Sequence, residues 1–354
     1  MTCIEETEQT ANHVRAIDTD AADNLLRLLA GKHITYSLSA VARLGVADHI
    51  DNSPVPVAEL AARVGAHASS LYRVMRMLAS INVFEENRDN SFSHTALSEL
   101  LKTDAPGSLR YLATFWGDPW SARAFENMTH TLRTGEDGVT KAYGKNVFEV
   151  LADDPAQAET FHRGMVNVSA LVGGAVTEAY DFSGFTRIAD IGGGHGMLLA
   201  SILRKYQHLE GVLYDLPEVV VGAPQAECLS DMKGRVQIEA GSFFQRIPGG
   251  CDAYILKHIL HDWSDGDCRI ILKLIREQLP AGGRVLLCEM VVPDETGPAA
   301  AKMFDIEMLV VTPGGKERTA EEFSRLFRSA GLELRRIVPT QSPLCILEAR
   351  ADSL

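Results

Sequence analysis

Side chains that can exchange protons are concentrated in the stretch LKHILHDWSDGD (256–267), in which two histidines lie three positions apart. This stretch follows an apolar run typical of a buried strand, and in open α/β sheets ligands bind beyond the carboxyl ends of the strands. Ser264, with Asp267 three residues later, resembles a capping box and predicts that the next helix begins here. His261, with Asp262 beside it, is therefore predicted on a loop between strand and helix, where an imidazole can act as a general acid or base.

A glycine-rich turn in the sequence ADIGGGHG (189–196) is the most specific motif of the chain. Asp190 stands at the end of a predicted strand, and glycines at alternate positions precede a predicted helix, which allows a tight turn whose backbone approaches a ligand closely. The dinucleotide fingerprint fails, because counting from Gly192 its last glycine would fall on Met197, so NAD is disfavoured. The D-x-G-x-G-x-G form instead matches the loop that holds S-adenosylmethionine (SAM) in Rossmann-like methyltransferases.

Two further strand ends carry candidate cofactor contacts. Asp215 ends the second strand and is placed to accept hydrogen bonds from both ribose hydroxyls; the alternative is a turn aspartate before Leu216. After the third strand comes GSFF (241–244), in which Ser242 is placed to bond the adenine amino group and Phe243 to stack on the ring. The alternative for that pair is an ordinary turn serine and a core phenylalanine.

Apolar strand-like runs alternate with helical patterns after Gly184, which predicts a parallel sheet with βαβ crossovers. The last two runs have no helix between them, so an antiparallel edge is expected. The fold class is therefore α/β, with a doubly wound, Rossmann-like C-terminal domain. The predicted strands are 187–191, 211–215, 236–240, 252–258, 284–290, 332–338 and 345–349.

The N-terminal third is predicted to be an all-helical, winged-helix unit. Helices are predicted over 57–65, which ends at a glycine, and over 69–81, followed by a hairpin over 83–94. Arg73 and Arg76 would suit a DNA-recognition helix. Acidic residues crowd the wing, however, so a dimerisation module is the favoured interpretation. The stretch between this unit and Gly184 is helical and rich in aromatic residues, a spacing more typical of a packed core than of a ligand pocket.

Composition sets limits on the partners. The 354 residues suggest about two domains. The 34 Lys and Arg residues against 47 Asp and Glu residues give a net charge of −13, which argues against a nucleic-acid partner. No apolar run approaches a membrane span, the N-terminus lacks the apolar segment of a secretory signal, and a cytoplasmic location with reduced thiols is expected. The six cysteines show no metal-ligand spacing: Cys3, Cys228, Cys251, Cys268, Cys288 and Cys345.

Together, DIGGGHG, LYDLP, DAYILKHILHDW and PGGKERT (313–319) occur in an order that resembles the plant caffeic-acid and acetylserotonin type of SAM-dependent O-methyltransferase, including bacterial enzymes that methylate aromatic polyketides. The resemblance covers essentially the whole chain. It implies a winged-helix dimerisation domain (1–103), a helical segment that closes the substrate pocket (104–180) and a class I methyltransferase domain (181–354). It also implies a homodimer that uses SAM, a hydroxylated aromatic substrate and no metal.

The resemblance also assigns roles to individual residues. It makes His261 the general base and Glu289 and Glu317 the carboxylates that flank it, and Asp262 joins this catalytic set as the neighbour of His261. The predicted SAM contacts are Ser169, Asp190, Gly192, Gly194, Gly196, Asp215, Leu216, Ser242, Phe243 and Lys257. The predicted substrate contacts are Trp120, Phe161, Met165 and Met308.

Two departures from the family pattern bear on the substrate. Ser242 stands where many relatives carry an aspartate, and Val168 and Leu151 stand where plant phenylpropanoid enzymes tend to have polar residues. A more apolar pocket follows, which disfavours a phenylpropanoid. Three alternatives remain open: N-methylation on the same scaffold, hydroxylation on the same scaffold, and a ligand-binding regulator that uses the winged helix on DNA.

Overall fold

The structure is a computed structural model that describes residues 19–232 and 234–352. Cys3 and the predictions about residues 1–18 lie outside the described residues. The helices of the N-terminal part are α1 (Thr19–Leu29), α2 (Gly31–Leu44), α3 (Val57–Val64), α4 (Ala68–Ser80) and α5 (Ala96–Glu99). Its strands are β1 (Val55–Pro56), β2 (Phe84–Glu86) and β3 (Ser91–His94).

The predicted helix–helix–hairpin arrangement of this part is confirmed. Gly65 ends α3 with a left-handed φ of 66°, the conformation that a glycine adopts without strain. Strands β2 and β3 pair antiparallel, as expected for a wing. The two-residue strand β1, which the sequence pattern did not indicate, pairs with the other side of β3, so this mainly helical unit contains a three-stranded sheet.

Helix α1 carries large apolar side chains that this chain leaves uncovered. None of its residues is buried, and Leu25, Leu26, Leu28 and Leu29 are exposed by 58–78 %. Burial of large apolar side chains is the main favourable contribution to folding and association, so four exposed leucines on one short helix indicate a surface made to be covered.

Six helices form the middle segment, and the longest connects it to the C-terminal domain. They are α6 (Arg110–Trp116), α7 (Pro119–Phe125), α8 (Met128–Thr134), α9 (Gly138–Tyr143), α10 (Val147–Ala152) and α11 (Pro155–Ala179). Helix α11 packs against α6 on one side and against the first helix of the C-terminal domain on the other.

The C-terminal domain is the predicted doubly wound sheet. Its strands are β4 (Arg187–Ile191), β5 (Glu210–Asp215), β6 (Val236–Ala240), β7 (Ala253–Lys257), β8 (Arg284–Val292), β9 (Arg318–Thr319), β10 (Leu332–Pro339) and β11 (Leu344–Ala351). Its helices are α12 (Met197–Lys205), α13 (Pro217–Val220), α14 (Asp265–Gln278), α15 (Ala300–Val311) and α16 (Ala320–Ser329). All seven predicted strands are confirmed, whereas β9, which pairs with β8, was not predicted.

The strand order β10-β11-β8-β7-β4-β5-β6 determines where a site forms. Strands β4 to β8 are parallel, so their carboxyl ends lie along one edge, and β11 and β10 add the expected antiparallel edge. Apolar side chains fill both faces: one layer packs under α11 and α12 and the other under α14 and α16. No helix in the described ranges is long and apolar enough to cross a membrane.

Candidate active site

The glycine-rich turn after β4, residues 192–196, is called the cradle below, and it packs too closely for side chains at several of its glycines. Gly192, Gly194 and Gly196 have φ values of 68°, 59° and 83°, which other residues rarely adopt. A Cβ on Gly192 would lie 2.5 Å from Cδ1 of Ile259, and one on Gly193 would lie 2.7 Å from Cγ of Asp190. Gly196 is the N-cap of α12, so the backbone N–H groups at the start of that helix also border the turn. A Cβ on Gly194 would meet nothing within 4 Å, so the backbone is open at this position, as the predicted SAM loop requires.

Asp215 ties this turn to the end of β5. Its Oδ2 accepts a hydrogen bond from the Gly194 N–H at 2.8 Å, and its Oδ1 accepts one from the Leu216 N–H at 2.7 Å. Burial raises the pKa of this carboxyl, and the two N–H groups act in the opposite direction. The turn role that sequence analysis left open is therefore present. The carboxylate has further lone pairs for the predicted ribose contact.

The other predicted SAM contacts lie mostly at neighbouring strand ends. Asp190, the residue before the last in β4, has one buried oxygen with no hydrogen-bond partner, and burial raises its pKa to about 7. Lys257 closes β7, where burial lowers its pKa against the attraction of Asp190. Ser242 accepts a hydrogen bond from the Phe244 N–H at 3.3 Å. The ring of Phe243 lies near Gly192, while Ser169 lies on α11. These assignments remain predictions.

The four predicted catalytic residues are brought together around His261. This histidine lies on a 3₁₀ turn, Leu260–Asp262, and its Nδ1 is 2.9 Å from Oε1 of Glu317. Oε2 of Glu289 is 3.9 Å from the same nitrogen, and Oδ1 of Asp262 is 3.5 Å from Nε2. A carboxylate only accepts hydrogen bonds, so the bond to Glu317 puts the proton of the neutral imidazole on Nδ1 and leaves Nε2 free to take one.

The two glutamates are buried, and hydrogen bonds fix the side chain of Glu289 and the backbone of Glu317. Oε1 of Glu289 accepts hydrogen bonds from the N–H groups of Ile259 at 3.1 Å and Leu260 at 2.9 Å. The N–H of Glu317 donates to Oδ1 of Asp305 at 2.9 Å. The second oxygen of each glutamate, Oε2, is buried without a hydrogen-bond partner, and for Glu289 this is the oxygen that lies nearest to the imidazole.

The charges of the cluster favour protonation of His261. Burial lowers the pKa of the imidazole, but Asp262, Glu289 and Glu317 outweigh burial and raise the pKa to about 10. Burial also raises the pKa of Glu289, and it raises that of Asp262 to about 6, while His261 acts against both shifts. His261 is therefore a stronger base than an ordinary histidine, and the acids around it stabilise its protonated form.

Arg318 is a structural residue that sequence analysis missed. Its side chain is fully buried and donates to the carbonyl oxygens of Leu260 at 2.8 Å and Trp263 at 2.9 Å, and to Asp265 at 2.9 Å. It therefore fastens the loop that carries His261. Sequence analysis could have singled out this arginine because it directly follows Glu317 in PGGKERT. A charged residue that is buried next to a site almost always has partners there.

The predicted substrate contacts lie in the helical segment and on α15. Phe161 on α11 packs on Phe115 at a centroid distance of 5.2 Å, and Phe115 packs on Trp120 at 5.1 Å. Trp120 is only 2 % exposed and belongs to the core of this segment, as expected for most of its aromatic residues. Met165 on α11 is half-buried and Met308 on α15 is buried. Their contact with substrate stays a prediction.

The atoms of the catalytic cluster are also close enough to surround a cation. His261, Glu289 and Glu317 each offer one ligand atom, and these three atoms lie within 4.8 Å of one another. Two oxygens and one nitrogen are ligands that several divalent metals accept. The geometry is therefore compatible with a bound metal ion, and metal dependence has to be tested by experiment.

Comparison with known proteins gives one consistent family. The sequence matches the O-methyltransferase domain over residues 125–333 and the O-methyltransferase dimerisation domain over residues 26–104. It is 39 % identical to a phenazine O-methyltransferase of Lysobacter antibioticus over 92 % of this chain and 95 % of that one. It is 31 % identical to an 8-amino-8-demethylriboflavin N,N-dimethyltransferase of Streptomyces davaonensis over 94 % of this chain and 96 % of that one.

Solved structures agree with these matches. The crystal structure of LaPhzM superposes with a TM-score of 0.88 at 39 % identity and covers 94 % of this chain and 99 % of that chain. An O-methyltransferase from neocarzinostatin biosynthesis, in complex with S-adenosyl-L-homocysteine and 1,4-dihydroxy-2-naphthoic acid, superposes with a TM-score of 0.76 at 32 % identity, covering 92 % and 98 %.

Proposed function

Because this chain belongs to the O-methyltransferase family, we propose that it transfers the methyl group of SAM to a hydroxyl of a small aromatic molecule, with His261 as the general base. It is a SAM-dependent O-methyltransferase, and the observation that supports the catalytic proposal is the 2.9 Å contact between His261 and buried Glu317. The neocarzinostatin relative was crystallised with a dihydroxylated naphthoic acid, which supports a bicyclic or larger aromatic substrate.

The proposed chemistry needs alignment and removal of one proton. When bound, SAM supplies a methyl group that its positively charged sulfur has already activated. The chain holds the acceptor oxygen in line with that methyl group, which accounts for much of the rate in such reactions. Nε2 of His261 takes the hydroxyl proton, and Glu317 and Glu289 stabilise the imidazolium that forms. A phenol titrates near 10, and His261 has a raised pKa of about 10, so the proton moves between groups of similar basicity.

The proposal is tested by incubating the enzyme with SAM and a panel of hydroxynaphthoates, hydroxyphenazines and polyketide phenols, followed by mass spectrometry. We expect a product heavier by one methyl group, with the new ether located by fragmentation. A gain of one oxygen would support the hydroxylase alternative. SAM binding without any product across the panel would contradict this substrate class.

N-methylation is a second candidate, because the riboflavin-type relative is an N,N-dimethyltransferase at 31 % identity. Amino-substituted analogues of each phenol therefore belong in the panel. A neutral amine attacks without prior loss of a proton, so removal of His261 should harm O-methylation far more than N-methylation. Methyl transfer to the amines alone would favour this second candidate.

We propose that the enzyme is a homodimer and that α1 lies in the interface. The match to the dimerisation domain and the four exposed leucines of α1 support this assembly. Sedimentation equilibrium should give twice the chain mass of 38.6 kDa. A species of one chain mass at micromolar concentration would contradict it. The net charge of −13 supports the absence of a nucleic-acid partner.

The pH dependence of the reaction should respond to Glu317. A general base must be unprotonated, so kcat/KM for the phenol should rise with pH through the raised pKa of His261, near 10. Replacing Glu317 by glutamine removes one charge that stabilises the imidazolium. The acid limb should therefore move to lower pH by about one unit or more, while the limiting rate falls.

The matched control for this experiment is Glu136→Gln, which alters a carboxylate paired with His130 on the surface. It should leave the profile unchanged. An acid limb of Glu317→Gln that stays in place, or that moves to higher pH, would contradict the proposed electrostatic role of Glu317.

Chelation is expected to leave activity unchanged. The hydrogen bond between His261 and Glu317 and the backbone bonds of Glu289 already organise the cluster. The measurement is kcat after dialysis against EDTA and then 1,10-phenanthroline, with a zinc content determination on the same samples. Loss of activity that returns with one added metal would contradict a metal-free mechanism.

A further inference from the structure

His258 lies in an unusual backbone conformation directly after β7. Its φ of 54° is left-handed, which is uncommon for a residue other than glycine, and its N–H donates to the carbonyl oxygen of Cys288 at 3.2 Å. This turn brings the ring of His258 parallel to that of His261, with centroids 5.1 Å apart and an interplanar angle of 9°. The two imidazoles therefore form a stacked pair.

We propose that His258 is a positioning residue that fixes the ring plane of His261 through this stack. The proposal rests on the proposed role of His261 as the general base. Glu317 holds only one atom of the His261 ring, Nδ1, so the ring can still rotate about that contact. Nε2 also has Asp262 Oδ1 at 3.5 Å as a competing partner. A parallel ring against one face restricts this rotation and keeps Nε2 directed at the acceptor hydroxyl.

The surroundings of the two histidines favour the charged form of His261 and the uncharged form of His258. Asp262, Glu289 and Glu317 favour the protonated form of His261. Burial, Lys257 and His261 itself hold the pKa of His258 well below its ordinary value. His258 consequently presents a neutral aromatic face to a ring that gains a proton during the reaction, an arrangement that also suits a cation over a π system.

The stack also replaces water on one face of the base. Exclusion of water strengthens the attraction of the carboxylates, but it also disfavours the charged imidazolium, so the two effects on the pKa of His261 oppose each other. Loss of the ring should therefore be seen in the orientation of His261, which limits kcat.

The experiment compares His258→Asn with His258→Phe. Asparagine tolerates a left-handed backbone but has no ring, whereas phenylalanine keeps a planar ring that cannot be charged. We expect His258→Asn to lower kcat about tenfold or more, because small misplacements of a catalytic group are costly, while KM for SAM stays within about twofold. His258→Phe should retain kcat within about threefold, because its ring can stack on His261 as the imidazole does.

His258→Gly, which fits the backbone with no strain, replaces His258→Asn if that variant does not fold, and circular dichroism with SAM titration establishes folding for each. Wild-type kcat in the ringless variant, or a loss in His258→Phe as large as in His258→Asn, would overturn the proposal. The His261→Ala variant distinguishes a failure of the general-base proposal from a failure of the stacking proposal. An active His261→Ala would overturn the general base itself, whereas an inactive His261→Ala beside a fully active His258→Asn would overturn only the stack.

Discussion

Replacing His261 by alanine should lower kcat for O-methylation by about three orders of magnitude, within the range that general-base catalysis contributes. The reason is the geometry of Nε2, the one nitrogen of the ring that Glu317 leaves free. Without the imidazole, the acceptor hydroxyl must lose its proton to water, and Glu289 and Glu317 are left with no cation between them. SAM affinity should stay within about twofold, because the imidazole is not among the predicted SAM contacts.

The measurements are single-turnover methyl transfer and calorimetric titration with SAM on the same preparation. The chain offers a matched control in His130→Ala, because His130 on α8 is also paired with a glutamate, Glu136 at 2.6 Å, but outside the catalytic cluster. That variant should have wild-type kcat. Full activity in His261→Ala would exclude the proposed base. A parallel loss of SAM binding would indicate that the substitution damages the fold and not the chemistry alone.

Replacing Asp215 by alanine should weaken SAM binding by about a hundredfold. Charge-assisted hydrogen bonds contribute about 1.5–3 kcal/mol each, and this carboxylate serves both the cradle and the predicted ribose contact. Its two bonds to the N–H groups of Gly194 and Leu216 would be lost together with any bond to the ligand. Calorimetry gives the affinity, and kcat at saturating SAM should fall much less than the affinity.

A deoxyribose analogue separates the two roles of Asp215. The wild-type enzyme should bind 2′-deoxy-S-adenosylhomocysteine more weakly than S-adenosylhomocysteine, and Asp215→Ala should bind both alike. If Asp215→Ala still discriminates between them by the wild-type factor, the carboxylate serves the cradle alone. Asp181→Asn is the control. Asp181 lies away from the site, and its Oδ1 accepts a similar turn hydrogen bond from the Ser183 N–H at a distance of 2.9 Å.

The central strands of the C-terminal sheet could be predicted because they are buried on both faces, and such strands read as continuous apolar runs. The predicted bounds of β4 agree with the structure residue for residue. Those of β6 agree as well, although this edge strand has no buried residue and shows instead an alternation of apolar and polar residues. The two-residue strands β1 and β9 could not be predicted, because two residues have no periodicity and their pairing is decided by distant parts of the chain.

Parts of the site could likewise be predicted from the sequence, and other parts could not. Sequence motifs brought His261, Asp262 and the glycine-rich turn to one strand edge, because the carboxyl ends of parallel strands meet there. The contacts of Arg318 and the stack of His258 on His261 depend on a left-handed residue and on segments more than fifty positions apart. The three-residue spacing of the two histidines was visible in the sequence, but only the turn between them makes that spacing a contact.

The position of Arg318 has a consequence for the order in which a growing chain acquires its site. Its partners Leu260, Trp263 and Asp265 leave the ribosome before it, and Gly315 passes so close to the same loop that a Cβ there would lie 2.4 Å from the carbonyl oxygen of His261. Until PGGKERT is synthesised, this loop lacks both its arginine and Glu317. The arrangement around His261 can therefore be completed only after residues 313–319 have been made, and a product truncated ahead of residue 313 would lack both Arg318 and Glu317.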